Sequence, residues 1–411
     1  MWKWLKPGLG IKRWIFFMII GVVLLSLGLS RFPLRFIPPL TGLGLRIYVF
    51  VLAGLLIVIL GIYGLIHSLV NKIYTGREPV IHKLSRQIWL NKGPRIVALG
   101  GGTGLSTLLR GLKNVSANLT AIVAVTDDGG SSGRLRDDFD LPAPGDLRNC
   151  IAALAPEEQR LSELFSYRFK KGSGLAGHSL GNIFLTALAD LQGGFPEAIS
   201  VCSEVLAIQG KVLPSMWGTP RLQARLADGS LLHGETTIAA SKQDIVELDV
   251  KPRPPEPNPE AILAVSEAEL LVVGPGSLYT SILTNFIEPE LCEAFVSSPA
   301  PKVYICNLMT QAGETDSYSV SEHLRVFEKI PPQPVKFDYV FVNSRRPSRK
   351  MLEEYRKEGA VPVKFDYDNI KKLGVKIHAD SFLESGRHLR HDVDKILKHL
   401  QFVLEERHER Q

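Results

Sequence analysis

Arg95-Ile-Val-Ala-Leu99 is a short apolar run of strand-forming residues, and Gly100-Gly-Gly-Thr-Gly104 follows it directly. Leu105-Ser-Thr-Leu-Leu-Arg-Gly-Leu112 then repeats its leucines at helical spacing, and Leu119-Thr-Ala-Ile-Val-Ala-Val125 is a second apolar run. Strand, glycine loop, helix and strand make a βαβ unit, whose parallel pairing predicts an α/β fold with a doubly wound, mostly parallel sheet. The same grammar returns at Glu269-Leu-Leu-Val-Val273, where the tight loop Gly274-Pro-Gly-Ser277 leads into a helix from Leu278. Val303 to Cys306 and Tyr339 to Val342 supply further strands. Pro252 to Pro259 carries five prolines in eight residues. It reads as a surface loop, because strands needed by one sheet lie on both sides of it.

Upstream of this domain, assigned to residues 95–411, the chain changes character. Trp14 to Ser30 has 17 residues without a charge, and Ile47 to Val70 has 24 whose one side chain titrating near neutrality is His67. At ~1.5 Å per residue these reach ~26 and ~36 Å against a hydrocarbon core of ~30 Å, so residues 1–70 are expected to form a transmembrane hairpin with spans at about 14–30 and 47–70. Lys and Arg cluster before the first span and after the second, and the segment between holds Arg31, Arg35 and Arg46. Positive residues favour the cytoplasm, which predicts a two-pass protein of the cell membrane with both termini and the main domain inside. Pro33, Pro38 and Pro39 make the connector a short external loop. Residues 71–94 are polar and basic and read as a juxtamembrane linker.

The 48 Lys+Arg outnumber 42 Asp+Glu, but residues 1–94 hold 12 of the bases and one acid, Glu78. Beyond them 36 bases face 41 acids. The main domain thus lacks the clustered positive charge that nucleic acid requires, and no nucleic-acid partner is expected. Cys150, Cys202, Cys292 and Cys306 show no CxxC spacing, which excludes a redox dithiol and gives no zinc pattern.

The loops after the strands carry the candidate chemistry. Gly101, Gly102, Thr103 and Gly104 lie between strand and helix, where glycines admit a ligand to the backbone and a helix start offers free N–H groups to an anion. The spacing is neither GxGxxG nor a Walker loop, and tight strand-to-helix packing explains the glycines equally well. Thr126-Asp-Asp-Gly-Gly-Ser-Ser132 follows the second strand. Asp127 stands where nucleotide-binding α/β folds place a ribose-binding acid, and Asp127 and Asp128 ahead of Gly129, Gly130, Ser131 and Ser132 also suit a magnesium-bridged phosphate. Asp146 opens a helix and is either its N-cap or a ligand residue, with Arg148 and Asn149 placed to meet phosphate or base. His178 precedes another helix with Asn182. It is a general base or a hydrogen-bonded structural group. Gly274, Gly276 and Ser277 lie at a strand end, and Tyr279 either stacks on a base or is a half-buried helix aromatic. Asn307, Thr310 and Gln311 offer amide and hydroxyl groups to neutral sugar or base edges. No Ser/His/Asp arrangement on a nucleophile elbow and no HExxH is visible, so no catalytic residue is assigned.

In order, Gly100–Leu105, Val125–Arg136, Pro144–Asn149, Gly177–Asn182, Gly274–Ser281 and Asn307–Thr315 closely resemble the motifs of the YvcK family of bacterial gluconeogenesis factors, relatives of the CofD transferases. The resemblance covers about residues 95 to 400. It implies a Rossmann-like domain that binds UDP-N-acetylglucosamine and supports cell shape and wall synthesis during gluconeogenic growth, with no established reaction. CofD relatives instead use magnesium to join a lactyl phosphate to a deazaflavin, and a phospholactyl transferase is the alternative expectation. By the same resemblance Asp127 and Asp146 look like metal or ligand acids and Tyr279 like a nucleotide-sugar contact. Binding is expected to require no cofactor, with magnesium as an admissible one. Expected partners are the UDP-sugar, the membrane, a second copy of the chain and a protein of wall or carbon metabolism. The two spans depart from the usual soluble YvcK and resemble membrane-anchored versions.

Overall fold

The computed structural model describes residues 11–30, 43–73, 80–156, 158–241, 243–384 and 389–410. Of the external connector expected at 31–46, residues 31–42 lie outside them, as does part of the juxtamembrane linker, 74–79, while residues 43–46 already belong to the following helix. The chain divides into two compact units, Met1–Ile88 and Trp89–Gln411.

In the first unit, α1 (Ile11–Leu29) and α2 (Leu43–Ile73) pack on each other, and the boundary at Ile88 falls within α3 (Val80–Asn91). Tyr48–Ser68 is long and apolar enough to cross a membrane, whereas Arg13–Leu29 is apolar but shorter. Glycines set the contact between α1 and α2. A Cβ on Gly21 would come within 2.7 Å of the Val58 side chain, and one on Gly54 within 2.7 Å of the Leu25 nitrogen. The bulky apolar side chains point the other way, with Phe16, Val22, Leu52 and Ile59 exposed.

In the second unit, seven strands form one sheet: β1 (Ile96–Gly100), β2 (Leu119–Val123), β3 (Lys211–Pro214), β4 (Leu270–Val273), β5 (Lys302–Ile305), β6 (Tyr339–Asn343) and β7 (Lys376–Asp380). Their order is β3-β2-β1-β4-β5-β6-β7, and every neighbouring pair is parallel. Ile96 lies opposite Leu119 on one side and Leu270 on the other. β1 and β4 are buried along their whole length, because helices cover both faces of a parallel sheet and leave no solvated alternation. The chain builds outward from β1 through β2 and β3, then returns to its other side with β4. That reversal opens a crevice beyond the carboxyl ends of β1 and β4.

The helices that reach this crevice are α4 (Gly102–Leu112), α5 (Gly130–Phe139), α6 (Pro144–Leu154), α7 (Glu158–Ser166) and α8 (Leu180–Gln192). A small antiparallel sheet of residues 221–226, 231–233 and 245–251 is inserted between β3 and β4. The sheet continues across Pro252–Pro259, so that segment connects parts of one unit. The helix expected from Leu278 is instead a π turn, Leu278–Ile282, followed by a 3-10 turn, Leu283–Phe286. Side chains there compete for the backbone carbonyls: Thr284 Oγ1 donates to Tyr279 and Thr280 O, and Asn285 Nδ2 to Ser281 and Ile282 O. All four cysteines are buried and unpaired.

Candidate functional site

Each strand-end loop is built so that backbone rather than bulk faces the crevice. Gly102 has φ +64°, the left-handed region that glycine tolerates, and it starts α4 behind Gly101, an N-cap residue with no side chain of its own to offer. Its N–H donates to Asp146 Oδ2 at 2.5 Å. Asp146 therefore is not the N-cap of α6; that position belongs to Ala143, and the carboxylate turns from its own helix to tie α6 to the start of α4. Asp127 Oδ1 accepts from Gly129 N at 2.8 Å at the entry to α5. Asp128 faces away from it, accepting from Thr236 N and Oγ1 at 3.0 and 2.7 Å.

Two cavities meet here. A cleft of about 470 Å³ runs along α4 and α6, bounded by Thr103, Gly104, Gly276, Asn307, Arg148 and Asn149. A polar chamber of about 320 Å³ is lined by Asp127, Asp146 and Gly129 to Ser132, together with Asn182 and again Arg148 and Asn149. Arg148 and Asn149 form the shared partition. The buried Arg148 guanidinium donates to Ser179 Oγ at 2.5 Å and to Asn149 Oδ1 at 2.7 Å, which holds it in place. The structure thus brings together the motifs of β1, β2, α6, α8, β4 and β5.

Other sequence-predicted residues brace these walls, and Asn307 does so from within the lining. Gly101 backs Asp146, and Thr126 is buried with no partner for its hydroxyl among the described residues. His178 supports Ser131 from behind, with Nδ1 3.0 Å from Ser131 Oγ. Asn307 clamps the β4 loop through both amide atoms, at 3.1 Å from Gly276 N and 2.7 Å from Gly276 O. Ser277 Oγ donates to Gln311 Oε1, and Val361 N to Thr310 Oγ1. Gly274, at φ +80°, presses against Ile305 O. Ser277 and Gln311 thus serve each other, while Asn307 and Thr310 hold backbone groups.

Tyr279 corrects an expectation. Its side chain is 2 % exposed and its hydroxyl pairs with Tyr318 at 3.0 Å, so neither ring face is open to a base. Burial and that hydroxyl pair push its pKa well above the usual value. The half-buried ring that does border the cleft is Tyr355, whose hydroxyl accepts from Leu389 N at 3.3 Å. Leu389, Arg390 and His391 close the same side. No motif announced this segment, since a lone tyrosine and a basic tail look like any solvated surface.

Negative charge collects at the junction. Burial, and then Asp127, raise the Asp146 carboxyl to about 6 against the bond from Gly102 that lowers it. Glu235, at the start of a short helix, is raised to about 9 by burial and by the charges of Asp127, Asp146 and Glu314. Glu314 turns inward, 5 % exposed, and accepts from Tyr279 N, Thr280 Oγ1 and Gln311 Nε2. Among the described residues no group of three or more His, Cys, Asp or Glu is placed to hold a metal ion. Asp127 and Asp146 in the chamber lining still fit magnesium, which commonly takes one or two protein acids and completes its shell with ligand oxygens and water.

Residues 96–383 match the family model for 2-phospho-L-lactate transferase CofD. A Bacillus subtilis protein described as a gluconeogenesis factor is 42% identical over 318 residues, which cover 77% of this chain and 100% of that one. A relative from Nostoc sp. is 42% identical over 96% of this chain and 91% of its own, so that match extends into the first unit. The crystal structure of a Bacillus halodurans protein of the UPF0052 family superposes with a TM-score of 0.72 at 43% identity, covering 75% of this chain and 99% of that one. With these matches spanning the sheet and every loop around the crevice, the chain belongs to the CofD-like family of gluconeogenesis factors, the YvcK family.

Proposed function

We propose that the protein is a membrane-tethered nucleotide-sugar-binding regulator whose ligand, UDP-N-acetylglucosamine, occupies the cleft at the β1/β4 switch point. The observation that carries this reading is the pairing of a long mixed cleft with a polar chamber through Arg148 and Asn149. A base and ribose fit the first, beside the Tyr355 ring, and the phosphates approach the partition. Asp127 and Asp146 would hold a magnesium ion, which would screen phosphate charge from the two acids. The output is control of wall synthesis and cell shape on gluconeogenic carbon sources, through a second copy or a protein of wall or carbon metabolism. A CofD-type transfer to a deazaflavin is the second reading, favoured by the family description and by the same acid pair.

Isothermal titration of the full chain in detergent with UDP-N-acetylglucosamine, with and without magnesium, tests this. Recovery of intact ligand after saturable binding is expected; absence of binding overturns it and makes guanylated donors the next ligands. Tyr355→Ala should weaken the affinity roughly tenfold, the range for a lost base-stacking contact, and leave the melting temperature within a few degrees. Equal affinity would remove Tyr355 from the site.

We place both α1 and α2 in the membrane, with both termini and the second unit cytoplasmic. Glycines at the contact and large apolar side chains outside are the arrangement of helices packed within lipid, where close backbone approach replaces hydrophobic burial. Gly54→Leu should separate the helices, and cysteine cross-linking between them in membranes should fall several-fold. Undiminished cross-linking would refute the packed hairpin.

A further inference from the structure

The polar chamber contains a hydroxyl paired with a base. Ser131 stands at the second position of α5, is 3% exposed and forms part of the chamber wall. Asn182 Nδ2, which can only donate, lies 3.2 Å from Ser131 Oγ, so the serine oxygen accepts there. The serine proton is free to point at His178 Nδ1, 3.0 Å away. With the imidazole neutral and Nδ1 unprotonated, the pair runs from hydroxyl to imidazole. Burial, and then Arg134, lower the His178 pKa and keep it in that form. The first-turn N–H groups of α5 have no intrahelical carbonyl to bond and lie beside the same hydroxyl. Arg148 and Arg168 add guanidinium groups to the lining.

We infer that Ser131 and His178 form a nucleophile and general-base pair acting on a small phosphate ester in the polar chamber. The inference does not depend on what fills the cleft, since Ser131 lines the chamber and not the cleft. Ser131 Oγ bonds to phosphorus as its proton passes to His178 Nδ1, and the ester P–O bond breaks with its electron pair leaving on the alcohol oxygen, which takes that proton. Water then attacks the phosphoserine, His178 accepts a proton from it, and the serine oxygen leaves with the bonding pair and is reprotonated. The N–H groups at the start of α5 and the two arginines face the charge that develops on the phosphoryl oxygens. Chamber walls dominated by acids, amides, hydroxyls and guanidinium groups offer little apolar surface to an acyl chain, which selects phosphorus over a fatty ester.

The probe is a fluorophosphonate, which a serine attacks at phosphorus with loss of fluoride. Full-length protein in detergent is treated, digested and read by mass spectrometry. An adduct on Ser131, absent in Ser131→Ala and formed at least tenfold more slowly in His178→Gln, supports the pair. Protection by inorganic phosphate supports the chamber as the place of reaction. No adduct on Ser131, or labelling of His178→Gln at the wild-type rate, overturns it. Should His178→Gln fail to fold, the wild-type rate against pH decides: it must fall with acid as His178 becomes protonated, and a rate that stays flat down to the pH at which the fold is lost also overturns it.

Discussion

Gly104→Ala is expected to lower the unfolding free energy by about 3 kcal/mol or more and to abolish nucleotide binding. A Cβ at Gly104 would sit 2.2 Å from Pro275 O and 2.8 Å from its carbonyl carbon. Both are backbone atoms of the β4 loop, and that loop is held by Asn307, so it has no flexible side chain to move aside. Overpacking against backbone stands at or beyond the upper end of the ~1–3 kcal/mol seen when side chains can adjust. Gly102→Ala is the informative comparison. Its Cβ would meet nothing within 4 Å, and the cost is the left-handed backbone alone, about 1 kcal/mol. Denaturant unfolding of both variants checks the difference. Equal losses would mean that the two loops do not pack as closely as the structure shows, and that the glycines serve conformation only.

Asp146→Asn should make the unliganded protein more stable above pH 6 while weakening its ligand. The folded carboxyl has its pKa raised from 3.8 to about 6, chiefly by burial, so between those values the folded chain binds the extra proton. Wild-type stability therefore falls as pH rises from about 4 to about 6, and the whole penalty is present above that window. Two units correspond to about 3 kcal/mol; with the residue partly open to solvent, a gain of about 1–2 kcal/mol is expected for the amide. The gain should shrink toward pH 4, where the wild-type acid is already neutral. The amide oxygen can still accept from Gly102. Magnesium-dependent affinity should drop by about 1–3 kcal/mol, because a neutral amide cannot replace a carboxylate on a cation. Unfolding at pH 5 and pH 8, paired with titration calorimetry, reads both effects. Loss of stability at every pH would show that the carboxylate is kept for structure.

Much of the site was legible because its loops are local. Gly101–Gly104, Asp127–Ser132, Asp146–Asn149 and Gly274–Ser277 each follow a recognisable apolar strand or open a helix, and such loops in a parallel sheet converge on one edge. Tyr279 and Tyr355 mark the boundary of that logic. Tyr279 sits in a conspicuous motif, yet the π turn rotates it into the core against Tyr318. Tyr355 sits in a helix with no signature, and only the return of the chain past β6 brings it beside Leu389. Asp128 shows the same limit, since adjacent carboxylates look alike in sequence while one faces the chamber and the other bonds Thr236, more than a hundred residues away.

Composition and periodicity alone determined the parallel α/β sheet, the apolar N-terminal helices and the set of loops at the crevice. These depend on neighbours within a few positions, through strand propensity, helical spacing and glycine at turns. Tertiary structure alone decided that Asp146 bonds α4 instead of capping α6, that Arg148 and Asn149 divide the cleft from the chamber, and that Ser131 faces His178. Each of those depends on groups brought together from distant parts of the chain, and burial, which raises one carboxyl and keeps one imidazole neutral, exists only once the layers have packed.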